Sequence, residues 1–366
     1  MVFISIGYAA LTVFLSSCSA GLPVQVESHK PGHVLATKYS IVCVIHGDGD
    51  YIFHDTSGNE YKADDKALAG AKRIAQQNPY AEVFIFHQKP RRNFLFFFPL
   101  QDGEFYYYRN GQLIANELYW RDQKQSQLDP EAVLYHRFRT ENQLEMVSIF
   151  LYYGHEIPQF GGKGYDASYP DRAFTVYDFT IGLRDFTHHP KRFDLLVLST
   201  CFGGTPYTID AVGSFARTII ASPDNLHLSY FDLHLLERLD LSLQDGDVPA
   251  FAKRFAHQAF KQLTRNIQTA VSIAVYDADR VKEFLYSVRR VYNYTLTTLK
   301  GETQEFLATI EHCDCADLPE YVLPTMNKGV DVFYRPARFG RSKNKQNHSG
   351  WECLNVKPQE ATFSDY

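Results

Sequence analysis

Residues Phe193–Thr205 read FDLLVLSTCFGGT. Four consecutive apolar residues, Leu195 to Leu198, run into Ser199, Thr200 and Cys201 and then into two glycines. An unbroken apolar run of this length suits a strand buried on both faces, as in a parallel sheet covered by helices. Ligands and reacting groups on such sheets sit beyond the carboxyl ends of the strands. Cys201 stands at such an end, and Gly203-Gly204 lets a backbone come close behind it. Taken alone, Cys201 reads as a small buried cysteine at a strand terminus. The rest of the chain decides whether it is more.

Working outward, Ile41–Ile45 (IVCVI) is a first buried strand, ending in His46-Gly47-Asp48-Gly49-Asp50. The stretch 64–77 places Ala67, Leu68, Ala71, Ile74 and Ala75 on one helical face, and Val83–Phe86 (VFIF) is a second buried strand ending at His87. Strand, helix and strand make a βαβ unit with parallel pairing and a right-handed crossover. Met146–Tyr153 is a third strand, delivering Gly154-His155-Glu156. A helix follows from Thr175, whose side chain caps it while Asp178 reaches back, with Val176, Phe179, Leu183 and Phe186 inward. After the Cys201 strand, Thr205-Pro206 opens a helix, and Thr218–Ala221 is a fifth strand ending in Ser222-Pro223-Asp224. All these strands, together with a last one at Val330–Tyr334, are expected to run parallel.

Between residues 93 and 114 the aromatic runs Phe94–Phe98 and Phe105–Tyr108, with Asp102-Gly103 and Asn110-Gly111, predict a β-hairpin insertion. Its aromatics pack on the domain edge or line a groove. Asp129-Pro130 is read as the cap and first turn of a helix reaching Arg139. From 245 to 356 the chain is mainly helical: Asp247-Val248-Pro249 opens a helix with Phe251, Phe255 and Leu263 inward, and Val281–Val291 marks another. A last strand, Val330–Tyr334, precedes a loop and Trp351.

The 366 residues, 45% hydrophobic and 15% aromatic, can bury a sizeable core. A net charge of -5 gives no electrostatic reason to expect nucleic acid. Met1–Phe14 is apolar and leads to Leu15-Ser16-Ser17-Cys18, which resembles the lipobox of bacterial lipoproteins, although no Lys or Arg precedes it. Residues 1–18 then read as a signal peptide, Cys18 as the lipidated residue, and 19–38 as a tether. The implied location is the bacterial cell envelope, at the outer membrane or surface, with the membrane reached through the lipid anchor. Nothing else is long and apolar enough to span a bilayer. Of the remaining cysteines, Cys43 lies inside a strand, and Cys313, Cys315 and Cys353 are an odd number, leaving room for one disulfide from Cys353 to Cys313 or Cys315, with the pairing left open. His312-Cys313-Asp314-Cys315 is too crowded to read as a metal site.

The carboxyl edge of a parallel sheet would collect His46, His87, His155 and Cys201. A thiol becomes a useful nucleophile when a base raises its thiolate fraction. Sequence-adjacent strands are usually neighbours, so His155, on the strand just before Cys201, is the preferred base and His46 its rival. There is no Gly-x-Ser-x-Gly elbow, no His-Glu-x-x-His helix and no complete phosphate-binding loop. Asp48 and Asp50 hint at calcium, but their spacing does not continue into a known loop. No cofactor or metal is expected from the residues themselves.

The order of these pieces resembles the clostripain family of cysteine peptidases, in the caspase-like clan. The pieces are HGDGDY after the first strand, His155 after IFLYY, FDLLVLSTC with its terminal cysteine, IIASPD, VSIAVYDADRV, GVDVFYRP and SGWECL. The likeness runs from about Tyr39 to Leu354, so that 39–356 would be one peptidase domain and 357–366 a tail. It implies a caspase-like three-layer α/β/α sandwich and a Cys/His dyad of Cys201 and His155 acting on a peptide or protein substrate. The backbone N–H groups of Cys201 and Glu156 would form the oxyanion hole, and calcium binding and self-cleavage near Lys163 would follow. Two positions depart from the pattern. Glu156 follows His155 where the family has Gly, and Ser199 stands where an acid would help bind Arg or Lys, with Asp224 a candidate substitute. The alternative expectation is an inactive caspase-fold lipoprotein that binds rather than cleaves.

Overall fold

The computed structural model describes residues 35–47, 52–54, 58–95, 97–121, 128–140, 146–159, 161–187, 191–226, 231, 233–243, 247–282, 285 and 329–340. Outside them lie Cys18 with the signal peptide, nearly all of the tether, Asp48, Asp50, Asp55, His188, His189, most of Val281–Val291, His312, Cys313, Cys315, Trp351, Cys353 and the 357–366 tail.

The strands are β1 Tyr39–His46, β2 Ile52–His54, β3 Glu60–Lys62, β4 Ala81–Gln88, β5 Asn93–Phe94, β6 Phe98–Pro99, β7 Gly103–Arg109, β8 Gln112–Tyr119, β9 Val147–Tyr153, β10 Phe193–Ser199, β11 Ala216–Ala221, β12 Val271–Asp277 and β13 Val330–Arg335. The main helices are α1 Ala63–Gln77, α2 Asp129–Phe138, α3 Val176–Phe186, α4 Pro206–Val212, α5 Leu239–Ser242 and α6 Val248–Asn266. Among the described residues nine strands form one sheet, in the order β13-β12-β11-β10-β9-β1-β4-β7-β8. The block β11-β10-β9-β1-β4 is parallel. The expectation of parallel pairing holds there and ends there. β12 and β13 add antiparallel at one edge, and β7 and β8 add antiparallel at the other.

The apolar runs end up inside because each strand sends alternate side chains to two separate cores. Val42 and Val44 of β1, Phe84 and Phe86 of β4, and Leu196 and Leu198 of β10 join the faces of α2, α3 and α4. Ile41, Cys43 and Ile45, Val83 and Ile85, and Leu195 and Val197 pack on the other side under α1 and α6. The result is a three-layer α/β/α sandwich with a mostly parallel sheet.

Helix ends follow local chemistry. Thr175 Oγ1 accepts from the Asp178 N–H at 3.4 Å, and Asp178 Oδ2 accepts from the Thr175 N–H at 2.9 Å, closing the capping box of α3. Thr205 caps α4 ahead of Pro206, and Asp247 caps α6 by accepting from Ala250 N–H at 3.0 Å. Asp129 differs from its expected role: Leu128 is the cap residue of α2, and Asp129 already lies in the first turn. Asn78 closes α1, its Nδ2 donating to the Ile74 and Leu236 carbonyls while its Oδ1 accepts from Leu239 N–H.

The aromatic stretch 93–114 divides in two. β7 and β8 turn at Asn110-Gly111, both with positive φ (53° and 79°), and extend the central sheet beside β4. β5 and β6 form a separate two-stranded ribbon. The apolar pattern does not reveal β12, inside the region read as mainly helical, nor the short strands β2 and β3.

Candidate active site

β10 ends at Ser199, and the chain leaves the sheet through Thr200-Cys201-Phe202-Gly203-Gly204. Phe202 takes φ +49°, a left-handed conformation that a bulky residue adopts only where its surroundings impose it. Those surroundings are a set of ties to the loop after β11 and to β12. Phe202 N–H donates to Asp224 O at 3.2 Å, Gly204 N–H to Ser222 O at 2.8 Å, and Tyr276 Oη–H to Gly204 O at 3.0 Å. The second glycine is required by space: a Cβ at Gly204 would sit 2.6 Å from Tyr276 Oη and 2.8 Å from Pro223 N. Gly203 is crowded too, by Thr200 Oγ1 at 2.7 Å from such a Cβ.

The turn holds Cys201 half-buried, with its Sγ 3.1 Å from Asn225 Oδ1. Asn225 was not among the sequence candidates. Its position is set by Ser222, a fully buried residue whose Oγ accepts from Asp224 N–H and lies 2.6 Å from Asp224 O and 2.8 Å from Ser272 O, able to donate its one proton to either. Only the polar run after the β11 strand signalled a built loop there. Cys43, by contrast, is buried inside β1, and burial pushes its thiol up to about 12, so it stays protonated and inert.

His155 is half-buried and follows β9, the strand directly beside β10. The parallel register pairs Tyr153 with Ser199. Gly154 N–H still reaches Ser199 O at 3.5 Å, so the pairing continues past the last ladder residue. His155 lies two residues beyond Tyr153 and Cys201 two beyond Ser199, the last paired residues of two adjacent parallel strands. Glu156 follows, half-buried. A Cβ on Gly154 would meet His46 Cβ at 2.9 Å, so glycine is what lets β9 leave the sheet beside β1.

The strand order separates the other two histidines from Cys201. His46 ends β1, on the far side of β9. It is buried, with Nδ1 2.9 Å from Gln88 Oε1 and its ring stacked on Tyr165. His87 ends β4, one strand further out, with Nε2 3.1 Å from Asp64 Oδ2 and Nδ1 3.4 Å from Glu104 Oε2. Burial pulls its pKa down, but the two carboxylate partners more than reverse this and leave it raised. Lys89 and Tyr106 also bond Glu104, and the His87 bond leads the causes that hold this carboxyl far below its usual range. Asp64, Asp65 and His87 bring three ligand atoms within 4.8 Å of one another, an arrangement that the His87–Asp64 ion pair accounts for.

Ser199 and Asp224 are both engaged within the protein. Ser199 is buried, and its Oγ accepts from Phe231 N–H at 3.2 Å. It borders an apolar cavity of about 30 Å³ shared with Cys43, Ala67, Leu151, Val197 and Phe231, room for about one water and far too small for an arginine or lysine side chain. Asp224 is half-buried, and its Oδ1 accepts from Asn225 N–H at 2.7 Å.

The loop between β9 and α3 starts at Gly154-His155 and is fixed by a buried ion pair. Arg121, just past β8, donates to Asp166, and both are buried. Burial pushes the Asp166 carboxyl up, and the Arg121 charge more than reverses that. Around them Tyr119 Oη–H and Gln88 Nε2–H donate to Glu131, and Tyr169 Oη–H donates to Asp102. Lys163 is exposed in this loop, beside Gly162 and Gly164, which both have positive φ.

Searches with this chain match no family model and no curated protein. It is similar to three solved structures of C11 proteases. An inactive zymogen C11 protease from Parabacteroides distasonis shares 13% identity at a TM-score of 0.48, covering 81% of this chain and 75% of that one. A secreted C11 cysteine protease from Bacteroides thetaiotaomicron in complex with an irreversible peptide inhibitor shares 11% at 0.47, over 70% and 69%. The secreted Bacteroides thetaiotaomicron C11 protease iotapain shares 8% at 0.48, over 70% of each chain. Among the described residues no helix is long and apolar enough to cross a membrane.

Proposed function

We propose that this chain is a cysteine endopeptidase working through a Cys201/His155 dyad, exported and lipid-anchored through Cys18. The observation that carries the reading is the β9–β10 register. It pairs Tyr153 with Ser199, so one histidine and one half-buried cysteine each follow, by two residues, the ends of adjacent parallel strands, where catalytic groups of open α/β sheets gather.

His155 takes the proton from Cys201 Sγ, and the thiolate attacks the scissile carbonyl carbon. The N–H groups of Cys201 and Glu156 stabilise the oxyanion. His155 then gives its proton to the leaving amine, and water, deprotonated by His155, hydrolyses the thioester. No metal or cofactor enters this scheme. Ser199 offers the substrate no charge, so a preference for Arg or Lys before the scissile bond would rest on Asp224.

A second reading, a binding lipoprotein without activity, draws on the contact between Cys201 Sγ and Asn225 Oδ1, because an amide oxygen stabilises the thiol over the thiolate. Rotating that amide by half a turn presents Nδ2 to the sulfur and favours the thiolate instead. A mixed peptide library incubated under reducing conditions decides. The peptidase reading expects cleavage by the wild type and a loss of at least roughly a thousandfold in both Cys201→Ala and His155→Ala. No cleavage by the wild type supports the binding protein. Loss in His46→Ala with activity kept in His155→Ala would reassign the base.

A further inference from the structure

The ribbon β5–β6 lies outside the site and outside both cores. Phe94 pairs with Phe98 across it, and Leu95, with φ +48°, sits in the turn. Phe94, Leu95, Phe97 and Phe98 are all more than half exposed, Phe97 at 84%. Large apolar side chains clustered so openly are costly in water and mark an interaction surface.

Two features say what covers it. Phe94 and Phe98 are directly opposite across the ribbon and share one face. Leu95 and Phe97 lie in the turn beyond that pair and are exposed as well, so the apolar surface is the projecting end of the ribbon itself. A projecting apolar end suits the interfacial layer of a bilayer, which takes up the whole tip. The second feature is charge. From Pro90 to Gln101 the sequence carries Arg91 and Arg92 and no acid, in a chain whose net charge is -5. Both arginines are exposed at the foot of the ribbon. The foot is also fixed: Arg91 N–H donates to Ser168 Oγ at 2.8 Å, and Leu100 N–H to Arg92 O at 2.9 Å. Aromatic tip above, cations below is the arrangement that inserts into a membrane surface and meets anionic headgroups.

We infer that the 91–100 ribbon is a membrane-insertion loop for an anionic phospholipid surface. It is a second contact, independent of any lipid on Cys18, and would fix which side of the molecule faces the bilayer. The test uses the full chain with Phe97→Trp, compared with the parent for the background of Trp120 and Trp351. The probes are vesicles of phosphatidylcholine alone or mixed with phosphatidylglycerol, with bromine on the acyl chains. Tryptophan at 97 should shift to the blue and be quenched by the brominated chains, more strongly with phosphatidylglycerol present. Adding Phe94→Asp and Phe98→Asp should abolish the quenching, and Arg91→Glu with Arg92→Glu should remove the phosphatidylglycerol effect, all with unchanged circular dichroism. An unquenched probe on both vesicle types overturns insertion, and equal quenching on both overturns the anionic preference. Concentration-dependent self-association abolished by Phe97→Asp, with no quenching, would assign the surface to a second copy of the chain instead.

Discussion

Arg121→Ala removes one half of the ion pair that fixes the loop after His155. The Arg121 and Asp166 side chains are only 2% and 3% exposed, so the Asp166 carboxylate left behind cannot turn to water. It keeps the Ser168 N–H at 2.9 Å and Arg172 Nη2 at 4.0 Å, a partial replacement for the lost charge. Breaking a buried pair by removing one partner costs about 3–5 kcal/mol, and the remaining donors place this case near the low end. The guanidinium also lies 5.3 Å from the Tyr169 ring centroid, and losing that contact adds about 0.5–1 kcal/mol. A total near 4 kcal/mol corresponds to a fall in Tm of roughly 5–6 °C for a domain of this size. Urea unfolding gives the free energy, and trypsin cleavage at Lys163 reports the loop, which should open faster than the whole chain unfolds. Arg121→Met with Asp166→Leu, which replaces both charges by apolar groups, should recover at least half of the loss. If Arg121→Ala and Asp166→Ala each stay within about 1 kcal/mol of the wild type, or the double variant is the sum of the singles, the pair does not hold the loop.

Three further expectations follow from the same structure. Iodoacetamide should label Cys201 in the folded protein and reach Cys43 only on unfolding, as read by peptide mapping; native labelling of Cys43 at a similar rate would contradict its buried, protonated state. His87 is raised above its ordinary 6.5, so its stabilising contribution is full below that pH and is lost as pH rises through the folded value, whereas Asp64 and Glu104 are lowered from 3.8 and 4.5 and lose theirs on acidification. The cluster therefore contributes most between pH 4.5 and 6.5, and His87→Gln should flatten the alkaline side of a Tm–pH curve; an unchanged slope would exclude it. Gly204→Ala should cost about 1–3 kcal/mol and disturb Cys201 alkylation, because its Cβ lands against Tyr276 and Pro223. Gly70→Ala, which meets nothing nearer than 3.5 Å inside α1, should instead stabilise by about 0.5–1 kcal/mol, and equal effects of the two would refute the packing argument.

The parallel block was legible because Ile41–Ile45, Val83–Phe86 and Leu195–Leu198 are apolar at every position, a pattern that two-sided burial requires. Thr175 with Asp178, and Asn110 with Gly111, were legible because caps and turns are decided within four residues. The antiparallel edges were harder. β8 faces solvent over most of its length, and β12 is a short apolar run wedged between helical stretches. Sequence order placed His155 beside Cys201 because adjacent strands usually pair, and it left His46 as a rival because strand order cannot be read from residues alone. Asn225, Arg121 and Asp166 escaped notice for one reason: each works through a partner distant in sequence, 24 residues away for Asn225 and Cys201 and 45 for the ion pair. No local signature records such a contact.

The division of β1 between two cores has a consequence for how the chain tolerates insertion and deletion. Val42 and Val44 belong to one core, and Ile41, Cys43 and Ile45 to the other. Deleting one residue within Ile41–Ile45 would exchange every later side chain of the strand between the layers. The same slip would shift His46 against Gly154, and with it the end of β9 that carries His155. A residue added between Leu95 and Phe98 would change no core position, since the ribbon lies outside both. Indel tolerance scanned along the chain should thus fall to nothing in β1, β9 and β10 and return at the ribbon, tracing the middle layer of the sandwich without a structure.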